Sequence, residues 1–280
     1  MSKSQQIKAI TKKIQSLPTL PVVVQRLTKM VESPDVTAKD VGKLISADQV
    51  LTARVLRLVN SPFYGFPGRI SSISHAVILL GFNVIKGVVL SASVFDLMEK
   101  SMLGLWEHSL GCAVVAGTIS RSLGIPEPEE ISTAALLHDI GKVVVSVSLR
   151  EDYDTILRIV DKDKSLFKDA ELNLLGTDHS EIGAWLSDEW NLPERLAIPI
   201  EYHHRPDEAI KLKERVYVVH IADSIVRAFG IGSGGDPWVQ KISQGAWDHL
   251  DMGGLDLNEL MKEIAVDLED VENFRLASME

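Results

Sequence analysis

Cysteine is nearly absent: Cys112 stands alone, which excludes an internal disulfide and fits a reducing compartment. Its neighbours, Gly111 and Ala113-Val114-Val115-Ala116, mark it as an inert core thiol. An excess of basic charge is also missing. The net charge of −10 argues against general affinity for nucleic acid or an anionic membrane. No secretory apolar segment opens the chain, where Ser, Lys and Gln dominate the first eight positions. The most apolar window, Val77 to Phe95, is interrupted by Asn83, Lys86, Ser91 and Ser93 and by two glycines, so a pair of core helices is expected there. No stretch alternates with period two long enough to demand a sheet. These absences leave a cytoplasmic, all-α protein.

With 45% apolar and 24% charged residues, the 280-residue chain has ample material for a core. Charge is unevenly spread. Residues 1–31 carry six basic side chains and no acid, whereas residues 251–280 carry nine acids against two bases. Gln5 to Gln15 reads as a short basic amphipathic helix through Ile7, Ile10 and Ile14. Leu17 to Pro21 breaks it, with Pro21 suited to the first turn of the next helix. Thr37, Asp48, Ser72 or Ser74, and Thr177 or Asp178 stand where N-caps are needed. The loop Asn60 to Gly68 holds three aromatics, Phe63, Tyr64 and Phe66, expected to pack onto the domain. Trp238 to His249 and Leu257 to Asp267 read as further helices beyond a glycine-rich break at Gly230 to Pro237.

One stretch organises the rest: Ala134-Ala135-Leu136-Leu137-His138-Asp139-Ile140-Gly141-Lys142. Four apolar residues carry a helix inward and deliver two metal-ligand types to its end. Gly141 is expected to supply a left-handed helix-ending turn, and Lys142 an anion-binding ammonium. A buried His-Asp hydrogen bond is the plainer alternative. Ligand types recur at other helix ends and inner faces: His108, His179, His203, His204 and Asp223. Five helical segments thus each contribute one or two, as in sites built inside helix bundles. Nitrogen and oxygen donors suit iron or manganese, or zinc or magnesium, as one or two divalent ions. There are donors for two cations with Asp139 bridging. His75 and His249 lie outside the set, and His220, three residues before Asp223 and nearly on the same face, is left out of it as well.

Several segments resemble the front half of HDOD proteins, bacterial signalling proteins related to the HD phosphohydrolases. They are Leu17-Pro-Thr-Leu-Pro21, Ile45-Ser-Ala-Asp-Gln-Val50, Leu58-Val-Asn-Ser-Pro-Phe-Tyr-Gly65 and Ile73-Ser-His-Ala-Val-Ile-Leu-Leu-Gly-Phe82. The resemblance implies a multi-helical N-terminal subdomain packed on an HD-like helical subdomain. We take 1–14 as a basic helix, 15–100 and 101–230 as the two subdomains, and 231–280 as an acidic helical extension. The second half is similar to HD-GYP cyclic-di-GMP phosphodiesterases, and this likeness implies that His108, His138, Asp139, Lys142, His179, His203, His204 and Asp223 match metal-site positions. Two departures stand out. Arg205-Pro206-Asp207-Glu208 replaces the Gly-Tyr-Pro loop that follows the histidine pair, and Gly104 stands where some members have a glutamate ligand.

The resemblance implies a non-catalytic signalling module that carries a metal site and acts on a protein partner, with no nucleic acid and no membrane; a homo-oligomer is compatible. A metal-dependent phosphohydrolase, in which Lys142 would steady a phosphate, is the alternative. A nucleic-acid binder using the basic N-terminal helix is disfavoured by the acidity of the whole.

Overall fold

A computed structural model describes residues 3–13, 22–31, 33, 35–61, 64 and 70–276. Leu17 to Pro21, Phe63 and Phe66 lie outside these residues. Fifteen α-helices and no strand are found among the described residues. In chain order they are α1 (Lys3–Lys13), α2 (Val22–Val31), α3 (Ala38–Ser46), α4 (Gln49–Val59), α5 (Ile73–Ser101), α6 (Leu105–Ser122), α7 (Pro128–Leu137) and α8 (Ile140–Ser148). Then follow α9 (Arg150–Asp163), α10 (Phe167–Leu175), α11 (His179–Glu189), α12 (Glu194–Tyr202), α13 (Lys213–Phe229), α14 (Gln244–His249) and α15 (Leu257–Leu276).

Local chemistry sets the helix starts. Thr37 and Asp40 form a reciprocal capping box on α3, and Asp48, Ser72 and Asp178 accept backbone N–H groups at the starts of α4, α5 and α11. Each such cap contributes about 1 kcal/mol. α5 bends at Gly81, whose φ of 78° is a left-handed value, so the apolar stretch is a helix pair across a kink.

α6 runs through the centre and is buried on every face from His108 to Ser120. It packs against α7, α13 and α15, while α2, α3 and α4 lie on α5, which reaches α7 and α8. Two polar contacts bind the front helices to the rear ones. The Tyr64 hydroxyl meets Thr133 Oγ1 at 3.2 Å, and Lys86 Nζ donates to the Asn191 carbonyl at 2.6 Å. The one described aromatic of the 60–68 loop therefore packs inward. α1 lies on α11, where Lys8 stands 5.3 Å over the Trp185 ring, and Lys3 pairs with Asp152 of α9 at 2.7 Å.

Two helical stretches, Ile73–Ser93 and Pro128–Ser148, are long and apolar enough to cross a membrane; within the fold they are 56% and 89% buried. The extension departs from expectation at Trp238 to Ser243, which is not helical; α14 begins only at Gln244 under a Ser243 cap. α15 runs further than its sequence pattern predicts, to Leu276. It buries Leu260, Ile264, Leu268 and Val271, spaced to form one stripe, and packs on α6.

Candidate metal centre

His138 caps the C-terminus of α7 and Asp139 starts α8, so two adjacent residues sit at the junction of two helices with both side chains turned inward. Gly141 does not make the expected left-handed turn. It lies inside α8, and its role is steric: a Cβ there would stand 2.0 Å from the His179 carbonyl oxygen. Only glycine lets α8 touch the start of α11 this closely, which brings His179 to Asp139.

All seven nitrogen and oxygen candidates converge. Asp139 stands at the centre, with His138 Nε2 at 3.3 Å and His108 Nε2 at 3.6 Å from Oδ2. Its other oxygen, Oδ1, faces His179 Nε2 at 3.1 Å and His203 Nε2 at 3.8 Å. Asp223 Oδ1 is 3.1 Å from His108 Nε2, and His204 Nε2 is 2.8 Å from His179 Nε2. The donors fall into two groups, each with its ligand atoms within 4.8 Å of one another. One is His108, Cys112, His138 and Asp223; the other is Asp139, His179, His203 and His204. His75 is exposed on α5, and His249 packs its ring on Tyr217.

The imidazoles are oriented by what lies behind them. His138 Nδ1 meets the Ala135 carbonyl at 2.6 Å and His203 Nδ1 the Ile200 carbonyl at 2.7 Å. A carbonyl can only accept, so each Nδ1 carries the proton and each Nε2 presents a lone pair. Those two Nε2 atoms and Asp139 Oδ1 are buried without a hydrogen-bond partner among the described residues. Burial lowers the pKa values of His108, His203 and His204 and keeps these rings neutral. Neutral rings braced through Nδ1, as at His138, His203 and His204, are what a cation needs; His108 Nδ1 has no such brace among the described residues.

Charge is balanced internally. Burial would raise the Asp139 pKa, but the adjacent His138 ring and the Lys142 ammonium hold it well below the usual carboxylate range. Asp223, likewise resisted by burial, is held low by Arg227 and His108. Lys142, fully buried, donates to Asp139 Oδ2 at 2.6 Å and stands 5.6 Å over the Phe167 ring. The ammonium read from sequence as an anion binder therefore points to the Asp139 carboxylate. Arg227 Nε donates to Asp223 Oδ1 at 2.7 Å.

Three neighbours gave no signal in the sequence. Glu171 of α10 meets His179 Nδ1 at 2.5 Å. Burial opposes a charge on His179, yet the Glu171 and Asp139 carboxylates lift its pKa to about 9, so this cluster favours a positive charge at its Nε2. Gln240, from the non-helical stretch after α13, takes a hydrogen bond from His204 Nδ1 at 2.8 Å and donates to Asp223 Oδ2 at 2.6 Å. Asp236 holds that stretch in place, bonding Arg227 at 3.3 Å and the Phe167 N–H at 2.8 Å. His220, left out of the ligand set, donates from Nδ1 to the His203 carbonyl at 2.7 Å and accepts the Ser243 N–H at 3.0 Å.

The donor set fits a divalent cation. Two ligands about 2.1 Å from one ion lie roughly 3 Å apart when adjacent around it, and the observed separations of 3.1, 3.1 and 2.8 Å match. Buried His and Asp groups here could hold a metal.

Comparison with known proteins gives a consistent picture. The model of the HDOD domain matches residues 17–206. An HDOD domain protein of unknown function from Geobacter sulfurreducens, of known crystal structure, is 31% identical. It superposes with a TM-score of 0.72 over 96% of this chain and 98% of its own. A candidate phosphohydrolase from Shewanella amazonensis SB2B is 26% identical with a TM-score of 0.67, over 94% and 96% of the two chains. An uncharacterized protein of Treponema pallidum (strain Nichols) is 27% identical over 224 residues, 78% of this chain. This chain spans less than half of that relative, 44% of its length.

Proposed function

This chain belongs to the HDOD domain family, and from that premise we propose that it is a regulatory module whose His/Asp centre holds one or two divalent cations without turning over a substrate. The observation that carries this reading is closure by the chain's own residues. His138, Asp139, His179, His203 and Asp223 have no exposed surface. The position beside His204 and Asp223 is filled by the Gln240 amide, and the two carboxylates are met by Lys142 and Arg227. A hydrolase needs a path to the metal and room for a phosphoryl group; a cavity lined by His108, Arg227 and Gly230 to Pro237 borders the centre, and the Asp223 carboxylate on that side is taken up by Gln240 and Arg227.

His108, His138, Asp139, His179, His203, His204 and Asp223 would hold the cations, with iron or manganese favoured by nitrogen and oxygen donors. A bound cation would polarise an oxygen ligand and bring positive charge to a buried carboxylate cluster. The chain's part is to orient the rings through Ala135, Ile200, Glu171 and Gln240. A centre so enclosed acts as a clamp that ties α6, α7, α8, α11, α12 and α13 together, and metal occupancy would set the rigidity of surfaces offered to a signalling protein partner. We place the module in the cytoplasm, off membranes and nucleic acid. Lys3 and Lys8 on the basic α1 are already engaged with Asp152 and Trp185.

The alternative is a metal-dependent phosphohydrolase, favoured by the unpartnered Nε2 atoms of His138 and His203 and by the description of the Shewanella relative. Incubation with bis(p-nitrophenyl) phosphate, nucleoside phosphates and cyclic dinucleotides in Mn²⁺ or Fe²⁺ separates the two. The regulatory reading expects no turnover above that of His138→Ala. Metal-dependent turnover lost in that variant overturns it.

A further inference from the structure

Cys112 is the one donor in the cluster that nitrogen-and-oxygen reasoning passes over. It sits one helical turn beyond His108 on α6, and that spacing places both side chains on one face. Its Sγ is 3.6 Å from His108 Nε2 and fully buried. Together with His138 and Asp223 it completes a set of four ligand atoms, all buried and all within 4.8 Å of one another. A second observation points to the same place. His138 Nε2, buried and held in its lone-pair form by the Nδ1 bond to Ala135, has no hydrogen-bond partner among the described residues.

A thiolate lies about 2.3 Å from a bound zinc-like ion and an imidazole nitrogen about 2.1 Å, so at a tetrahedral angle they stand roughly 3.6 Å apart. The observed Sγ to Nε2 separation is 3.6 Å. An ordinary core cysteine, by contrast, packs among apolar groups with no reason to face two histidines and a carboxylate.

We propose that Cys112 is a metal ligand, so that the two halves of the centre are chemically unlike. The half made by His108, Cys112, His138 and Asp223 offers two nitrogens, one oxygen and one sulfur to a borderline-soft divalent ion such as zinc, iron(II) or cobalt(II). The half made by Asp139, His179, His203 and His204 offers nitrogen and oxygen only. Coordination replaces the S–H bond with a metal–sulfur bond and releases the proton to water; no electron moves. Sulfur in the set selects against manganese and magnesium at that position. This inference rests on the metal centre proposed above, and it adds a ligand and a metal preference to it.

The test is anaerobic titration of the chelator-treated full chain with Co²⁺, read by absorption, for wild type, Cys112→Ser and Cys112→Ala. Cobalt in a nitrogen-oxygen site gives visible d–d bands alone, whereas a cobalt–sulfur bond adds a charge-transfer band in the near ultraviolet. The proposal expects that band in wild type, saturating with one equivalent. Both variants should lose it while keeping visible bands from the other position, with affinity at the sulfur position falling at least tenfold. Visible bands without the near-ultraviolet band in wild type would overturn the Cys112 assignment and leave the metal centre standing. No cobalt bound at all would overturn both. Because the wild-type spectrum decides, the assignment stays testable even where a variant does not fold.

Discussion

Replacing Lys142 by methionine isolates one electrostatic contact in the centre. Lys142 Nζ lies 2.6 Å from Asp139 Oδ2, and both side chains are fully buried. Methionine keeps most of the apolar stem and removes only the charge, leaving a buried carboxylate without its counter-charge. Breaking a buried ion pair in this way costs about 3–5 kcal/mol. With an unfolding entropy of about 2.1 cal/mol/K per residue, the 280-residue chain should lose about 5–8 °C in Tm, measured by circular dichroism in EDTA. A divalent cation at Asp139 would supply the missing charge, so at saturating Mn²⁺ the deficit should shrink to half or less. In an Asp139→Asn background the Lys142→Met change should cost less than about 1 kcal/mol, because no carboxylate remains to be stranded. An equal loss with and without metal, and in both backgrounds, would refute the role of Lys142 as the counter-charge of Asp139.

Glu171→Gln removes the carboxylate behind His179 Nδ1 and should weaken metal binding about 10–100-fold by calorimetric titration. The His179 pKa of about 9 lies above the ordinary 6.5, so its contribution is complete below pH 6.5 and disappears as pH rises through 9. Urea unfolding in EDTA should therefore show a loss of up to about 3 kcal/mol across that window, flattened in Glu171→Gln. Gly141→Ala drives a methyl group to 2.0 Å from the His179 carbonyl and should cost about 3 kcal/mol in denaturant unfolding, with loss of metal binding as α8 and α11 are forced apart. Tyr64→Phe removes the hydroxyl that meets Thr133 and should cost about 1 kcal/mol in the same assay.

What was legible in the sequence was local. Thr37, Asp48, Ser72 and Asp178 cap helices because a short polar side chain just before an apolar run has few other uses. The seven His and Asp residues stood out because ligand types at helix ends and inner faces need a reason, and the fold brings all seven together. The misses arise where tertiary contact decides. Gly141 reads as a helix stop, yet it answers to the backbone of His179, 38 residues on. Glu171 and Gln240 reach the centre from α10 and from a non-helical stretch with no spacing relation to any ligand. Arg227 and Cys112 were within reach of sequence reasoning. Each lies four residues after a ligand type, Asp223 and His108, on the same helix face. The Trp238 to Ser243 segment carries apolar residues in a helix-like pattern, but Asp236 and Gln240 draw it across the metal centre.

The most direct measurement is the metal content of protein purified without a metal-affinity column, determined by elemental analysis beside a His138→Ala/Asp139→Ala variant. The account predicts one to two equivalents of a divalent transition metal in the wild type and a loss of most of it in the variant. No metal in either, with both equally folded by circular dichroism, would contradict it and reduce the histidine cluster to scaffold.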